Sequence, residues 1–318
     1  MEFLELLKTD RPVLLDGGMG TMLQARGLPV GATPELVALE HPDWLRDIHT
    51  AYLDAGSQII YANTFGANRE KLERTGRTVE EIVTAAVTVA KEAAAGRGLV
   101  ALDIGPCGQL LEPTGMLGFE DAVDLFAQVV RAGVKAGADL IAIETMTDLQ
   151  EARAALLAAK ENSNLPVLVT MTYEASGRTF LGCSPAAAAL TLEGLGADAV
   201  GVNCSLGPRE MPPLVEELLK WTTLPIVLKP NAGLPRPDGS GYDISPEEFA
   251  HSLAALADLG VQVFGGCCGT TPEYIALLRR ELEGRTVRQV PRAVPAAVCS
   301  GTQVVPIDRV RVIGERIN

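Results

Sequence analysis

Hydrophobic residues in this chain come in short unbroken runs, not in strict alternation. Eight such runs, rich in β-branched residues, lie at 12–16, 58–63, 99–104, 139–144, 166–172, 198–204, 225–229 and 261–264. A short continuous apolar run predicts a strand buried on both faces, as in a parallel sheet. Between the runs, apolar positions recur with a helical period, clearest at 43–54, 119–136, 184–192 and 210–220. Several of these stretches carry start signals. Thr78-Val79-Glu80-Glu81 reads as a capping box, in which the Thr side chain takes one free amide and the Glu side chain another. Thr147-Asp148-Leu149-Gln150 reads the same way. Ser245-Pro246 and Thr271-Pro272 place proline at the first helical position.

Eight strands, each followed by a helix, predict an α/β chain folded as a (β/α)8 TIM barrel over residues 1–285. The competing doubly wound sheet would carry Gly-x-Gly-x-x-Gly in its first turn. That turn here is Asp16-Gly17-Gly18-Met19-Gly20-Thr21. Beyond Gly284 the periodicity stops. Residues 286–308, with Pro291, Pro295 and Pro306, read as a linker. Residues 309–318 read as the first strand of a second domain that is otherwise missing.

Composition narrows the partners. The 318 residues carry a formal charge of −13 and are 47% hydrophobic. That balance argues against nucleic acid or an anionic membrane surface, both of which need clustered Lys and Arg. No apolar run is long enough for a membrane span, and the acidic, amphipathic start is not a signal peptide. A cytoplasmic location is the expectation, where six cysteines serve as thiols or metal ligands and not as a disulfide framework.

In such a barrel, functional groups sit at the C-terminal ends of the strands. The polar residues there are Asp16, Asn63-Thr64, Asp103, Glu144-Thr145, Thr172, Asn203-Cys204, Asn231 just past Lys229-Pro230, and Cys267-Cys268. A lone cysteine would be read as core. A pair set in Gly265-Gly266-Cys267-Cys268-Gly269, with Cys204 two strands earlier, reads instead as three thiolates on one rim. Three thiolates suit Zn2+ and leave a fourth, open position, as in catalytic sites. A thiol arriving there loses its proton to the cation. Cys107, Cys183 and Cys299 lack such a setting, and His41, His49 and His251 lie away from the strand ends. Asp16 and Glu144, on a largely apolar rim, would attract an ammonium group. The amides of Gly17, Gly18 and Gly20 would receive a carboxylate, although an ordinary tight turn explains Asp-Gly-Gly equally simply. A thiol, an amine and a carboxylate together point to a thiol amino acid.

At these residues the sequence resembles the homocysteine S-methyltransferase family. The similarity is carried by residues 14–21 (Leu-Leu-Asp-Gly-Gly-Met-Gly-Thr), 63–67 (Asn-Thr-Phe-Gly-Ala), 201–205 (Gly-Val-Asn-Cys-Ser) and 265–270 (Gly-Gly-Cys-Cys-Gly-Thr). Glu144-Thr145 and Pro230-Asn231-Ala232-Gly233 also fit, so it spans most of residues 10–285. The paired-cysteine block is specific; the Asp-Gly-Gly turn alone is not. The resemblance implies that Cys204, Cys267 and Cys268 bind zinc and that Asp16 and Glu144 hold the homocysteine amine. It also implies that amides around Gly17, Gly18 and Thr64-Phe65 take the homocysteine carboxylate. Asn231 enters as a fourth zinc ligand when substrate is absent, or simply as a turn residue.

Val312-Ile313-Gly314-Glu315-Arg316-Ile317-Asn318 is similar to the first strand of a methyltetrahydrofolate-binding barrel that follows in some family members. The implied activity is methyl transfer to the homocysteine thiol, giving methionine. Its donor would be methylcobalamin, and the folate- and cobalamin-binding domains would lie in the same or a partner chain. Two alternatives stand beside it. One is a free-standing enzyme using S-methylmethionine or betaine, the latter weakened by only 4% aromatic residues. The other is a non-enzymatic zinc- and thiol-binding barrel. A metal-free lyase would need a strand-end lysine, for which Lys229 is the candidate.

Overall fold

All eight apolar runs become strands in the computed structural model, which describes residues 2–236, 239, 241–287 and 293–312. They are β1 (Val13–Leu14), β2 (Ile59–Tyr61), β3 (Leu99–Ile104), β4 (Leu140–Met146), β5 (Val167–Met171), β6 (Ala199–Asn203), β7 (Ile226–Lys229) and β8 (Val261–Phe264). Each pairs in parallel with its neighbours in the order β1-β8-β7-β6-β5-β4-β3-β2. A parallel bridge between Leu15 and Ile59 joins β1 to β2 and closes the ring. The eight strands and the helices between them form the (β/α)8 barrel that the apolar pattern predicts.

The helices that follow the strands are Pro42–Ala55, Val79–Ala94, Phe119–Ala136, Leu149–Asn162, Pro185–Gly194, Met211–Trp221, Pro246–Ala254 and Pro272–Leu282. Thr78 accepts from the Glu81 amide at 3.2 Å while the Glu81 carboxylate takes the Thr78 amide, so the first capping box is present. Ser245 caps its helix by accepting from Glu248 N–H. The expected cap at Thr147 is corrected. β4 runs on to Met146, so the next helix starts one residue later, and Asp148 accepts from Gln150 N–H at 2.9 Å.

Two apolar layers hold the barrel. Side chains pointing outward from the strands pack under the helices, and a smaller set fills the barrel interior. The N-terminal helix Phe3–Leu7 plugs the bottom with Phe3 and Leu6, and Gln262 anchors it by donating to the Leu7 and Thr9 carbonyls. The stretch expected to be a plain linker contains an antiparallel hairpin, β9 (Ala297–Cys299) and β10 (Val304–Pro306). Its turn rests on the barrel, where Arg178 donates to the Thr302 carbonyl at 3.0 Å. The strand expected at 309–318 lies largely outside the described residues, as does Pro291. Among the described residues, no helix is long and apolar enough to cross a membrane.

His49, on the helix Pro42–Ala55, is fully enclosed, and neither ring nitrogen has a partner among the described residues. Burial pushes its pKa down from 6.5 to about 4. The folded value lies below the unfolded one, so this histidine's contribution to stability is complete above pH 6.5 and is lost as pH falls toward 4. The expected outcome is that wild type loses about 3 kcal/mol more stability than His49→Leu across that window, measured by urea denaturation. Identical pH slopes for the two proteins would overturn the assignment.

Candidate active site

Alternation along each strand decides which residue reaches the barrel mouth. In β4, Leu140 and Ala142 fill the interior while Ile141 and Ile143 pack outward, so the next inward position is Glu144. The same count carries β3 from Ala101 to Asp103, β7 from Val227 to Lys229 and β6 from Ala199 through Gly201 to Asn203. Apolar residues occupy the lower inward positions and polar ones the last. They border a cavity of about 230 Å3 whose walls include Asp16, Asp103, Glu144, Lys229, Cys204, Cys267 and Cys268. A larger groove of about 650 Å3 lies on the outer helical surface around Arg77, Arg131 and Lys135 and touches none of these groups.

Lys229 is the residue whose role the sequence did not reveal. Its ammonium lies 3.1 Å from Glu144 Oε2, 3.6 Å from Asp16 Oδ1 and 3.4 Å from the centre of the Tyr61 ring. Burial alone would lower its pKa, but Glu144, Tyr61 and Asp16 outweigh that and hold it well above the ordinary value. Two carboxylates and the Tyr61 ring favour its ammonium form, which counts against the Schiff-base role that a lyase would need. Asp16 also accepts from Tyr61 N–H at 2.7 Å. Burial raises its pKa to about 6, against the opposing pull of Lys229. Asp16 and Glu144 thus share one lysine, and the carboxyl group of Asp103 lines the same pocket beside them. The pocket is short of positive charge, and a substrate ammonium would supply it.

The three cysteines expected to meet do so, with their sulfurs within 4.8 Å of one another. Cys204 sits just past β6 at φ 60°, followed by Ser205 at φ 57°. Cys267 and Cys268 follow β8 in a loop pinned by Cys267 N–H to the Pro230 carbonyl (2.9 Å) and Cys268 N–H to Asn231 Oδ1 (3.1 Å). Hydrogen bonds from Cys267 and Cys268 pull the Cys204 pKa down to about 3, and the same sharing pushes Cys268 up to about 12. A soft divalent cation would let all three ionise, so the donor set fits zinc. Asn231 braces the cysteine loop, its carbonyl oxygen accepting from Cys268 N–H, and its side chain helps to lower the Cys204 pKa.

Asn203 ties the halves of the site together. Its Oδ1 accepts from Thr145 N–H and the Thr170 hydroxyl, both at 2.8 Å. Its Nδ2 donates to the Thr145 hydroxyl at 2.8 Å and reaches Cys267 Sγ at 4.0 Å. Thr145 is held at φ 62°, a left-handed conformation unfavourable for a β-branched residue, directly after Glu144.

The glycines have a different reason from the one expected. A Cβ on Gly18 would lie 2.7 Å from the Cys267 carbonyl oxygen, and one on Gly17 would lie 2.7 Å from Thr270 Oγ1. The Asp-Gly-Gly turn is therefore packed against the cysteine loop. Gly18 N–H donates to Thr270 O and Oγ1, and Thr64 N–H donates to Ala62 O at 2.7 Å, so neither amide is free for a carboxylate. Among the described residues, the N–H groups of Gly17 and Phe65 are unpaired, and both residues border the cavity. Cys107 and Cys183 are buried apart from the cluster, Cys299 lies on the hairpin, and no histidine borders the cavity.

Fold and site together define a (β/α)8 barrel with a three-cysteine cluster able to hold a metal ion above a carboxylate-rich pocket. The chain belongs to the homocysteine S-methyltransferase family, whose profile matches residues 13–282. It is 31% identical over 319 residues to methionine synthase of Mycobacterium leprae (strain TN), a match covering 92% of this chain and 26% of that protein. It is 32% identical over 337 residues to methionine synthase of Mycobacterium tuberculosis (strain ATCC 25618 / H37Rv), covering 98% and 28%. The chain thus spans about a quarter of the length of these curated relatives. The metallated form of the homocysteine methyltransferase MmuM from Escherichia coli superposes with a TM-score of 0.74 at 24% identity, covering 87% of this chain and 98% of that one. Its oxidized form gives 0.73.

Removing the Asn203 brace tests this geometry. Asn203→Ala leaves Thr145 and Thr170 unpaired and should cost about 2–4 kcal/mol in a denaturant titration. A loss below about 0.5 kcal/mol would show that the network does not hold Thr145 in place.

Proposed function

We propose that this chain transfers a methyl group to the thiol of homocysteine, giving methionine, as the homocysteine-binding module of a cobalamin-dependent methionine synthase. Methylcobalamin, carried on another domain of the same or a partner chain, is the donor. The observation that carries the reading is the three-cysteine cluster, with sulfurs within 4.8 Å, at the strand ends above Asp16, Glu144 and Lys229. The similarity to about a quarter of two methionine synthases supports the modular part of it.

Cys204, Cys267 and Cys268 would hold the zinc. When bound there, zinc lowers the pKa of a substrate thiol toward neutrality, so that sulfur enters as a nucleophile. The chain's own residues do the rest. Asp16 and Glu144 attract the amine, with Lys229 holding Glu144 in place through its 3.1 Å contact. The free N–H groups of Gly17 and Phe65 are the acceptor-less donors suited to the carboxylate. A cavity of about 230 Å3 suits a small amino acid, and its apolar walls strengthen each charge contact inside it. In methyl transfer to a thiolate, a carbon–sulfur bond forms while the methyl carbon's bond to its donor breaks and that electron pair stays with the donor, so the step needs no proton donor on the protein.

A free-standing enzyme using S-methylmethionine or betaine is the second reading, favoured by the superposition over 98% of one single-barrel homocysteine methyltransferase. Thr145, where an aromatic residue would help to cage a quaternary cation, weighs against betaine.

Purified chain should carry one zinc per molecule by elemental analysis. Cys204→Ala, Cys267→Ala and Cys268→Ala should each lose it along with activity. Retention of stoichiometric zinc in all three would sink the ligand assignment. With the zinc-loaded chain, methionine should form from homocysteine and free methylcobalamin but not from S-methylmethionine or betaine. The reverse pattern would establish the second reading.

A further inference from the structure

We propose that Asp103 is a third acceptor for the substrate's ammonium group, beside Asp16 and Glu144, and that it sets a preference for amino-acid thiols over thiols lacking the amine. This rests on the reading of homocysteine as substrate and adds a residue to it.

Asp103 is the last inward position of β3 and borders the same cavity as Asp16 and Glu144. It is only 7% exposed. Its Oδ1 is buried with no hydrogen-bond partner, as is Asp16 Oδ1. Its backbone is fixed: its N–H donates to the Thr64 hydroxyl at 3.0 Å, and that hydroxyl donates back to its carbonyl at 2.8 Å. Among the described residues, no ion pair reaches it, because Lys229 is committed to Glu144 and Asp16.

Carboxylates that serve only the fold look different in this same barrel. Asp139 accepts from Val100 N–H and pairs with Lys91. Asp198 accepts from Val167 N–H and pairs with Lys160. A structural aspartate here is thus saturated by donors, whereas Asp103 is buried, aimed into a pocket and left with an open acceptor. Burial and the charges of Glu144 and Asp16 hold its pKa well above the ordinary carboxylate range, and only a further cation would relieve that.

The arithmetic of an ammonium group agrees. It has three N–H bonds to place. Glu144 Oε2 is taken by Lys229 and Asp16 Oδ2 by Tyr61 N–H, which leaves the remaining oxygens of Glu144 and Asp16. Asp103 supplies the third, from a third strand.

The test is calorimetric titration of the zinc-loaded chain with L-homocysteine and with 4-mercaptobutanoate, its analogue without the amine. Asp103→Asn should weaken homocysteine binding by about tenfold or more, the scale of one charge-assisted hydrogen bond. Binding of 4-mercaptobutanoate should stay within about twofold, so the discrimination between the two collapses. Asp103→Ser, which places no amide donor opposite the ammonium, should behave alike, and thermal midpoints of both variants should not fall. Unchanged homocysteine affinity, or equal loss for both ligands, would overturn the role of Asp103 and leave the substrate reading intact. A wild-type chain that does not bind homocysteine at all would overturn both.

Discussion

One lysine ammonium inside the barrel, shared by more carboxyl groups than it can neutralise, is the constraint on which the site depends. Lys229 contacts Glu144 and Asp16 and lies over the Tyr61 ring, all out of water. Burying charge in this way does little for stability, since desolvation offsets the attraction. Its consequence is chemical. The lysine holds Glu144 and Asp16 in place at the cavity, and the excess of carboxyl groups over cations leaves the pocket electrostatically suited to a small cation.

The metal-type cluster rests on a second device, the closeness of three loops. The Asp-Gly-Gly turn after β1 approaches the cysteine loop after β8 so nearly that any Cβ on Gly17 or Gly18 would collide with it. Asn203 links the end of β4 to the cysteines through Thr145 and Cys267. Left-handed backbone at Thr145, Cys204 and Ser205 turns the ends of β4 and β6 toward the pocket. Such strain persists because the surrounding hydrogen bonds over-determine it. The carboxylate pocket and the cysteine cluster are in this way mechanically joined, so a shift in one loop is felt in the other.

Most of the architecture was legible from short apolar runs, because a strand covered on both faces by barrel neighbours and helices has no polar side to show. The cysteine cluster was legible because Cys267-Cys268 between glycines has no good structural explanation, and strand-end logic brings Cys204 to the same rim. Asp16 and Glu144 were legible as strand-end carboxylates. Lys229 is visible in the sequence only as the lysine that a disfavoured lyase would need; its two carboxylate partners lie 85 and 213 residues away and no spacing points to them. Of the amides around Gly17, Gly18 and Thr64-Phe65, those of Gly18 and Thr64 are engaged, for a similar reason hidden from the sequence: whether an N–H is free depends on neighbours that composition does not reveal. The hairpin at 297–306 was missed because a three-residue strand has too few positions to show a period.

The sequence by itself determined the barrel, the rim on which chemistry occurs and the thiolates able to hold zinc. These follow from local rules: strand burial, two-residue alternation and the ligand chemistry of sulfur. Tertiary structure alone decided which charges pair, which acceptors stay open and which amides remain free. Those are properties of what meets across the barrel, and electrostatic energies in a water-poor pocket depend on distances of a few ångströms that no linear spacing records.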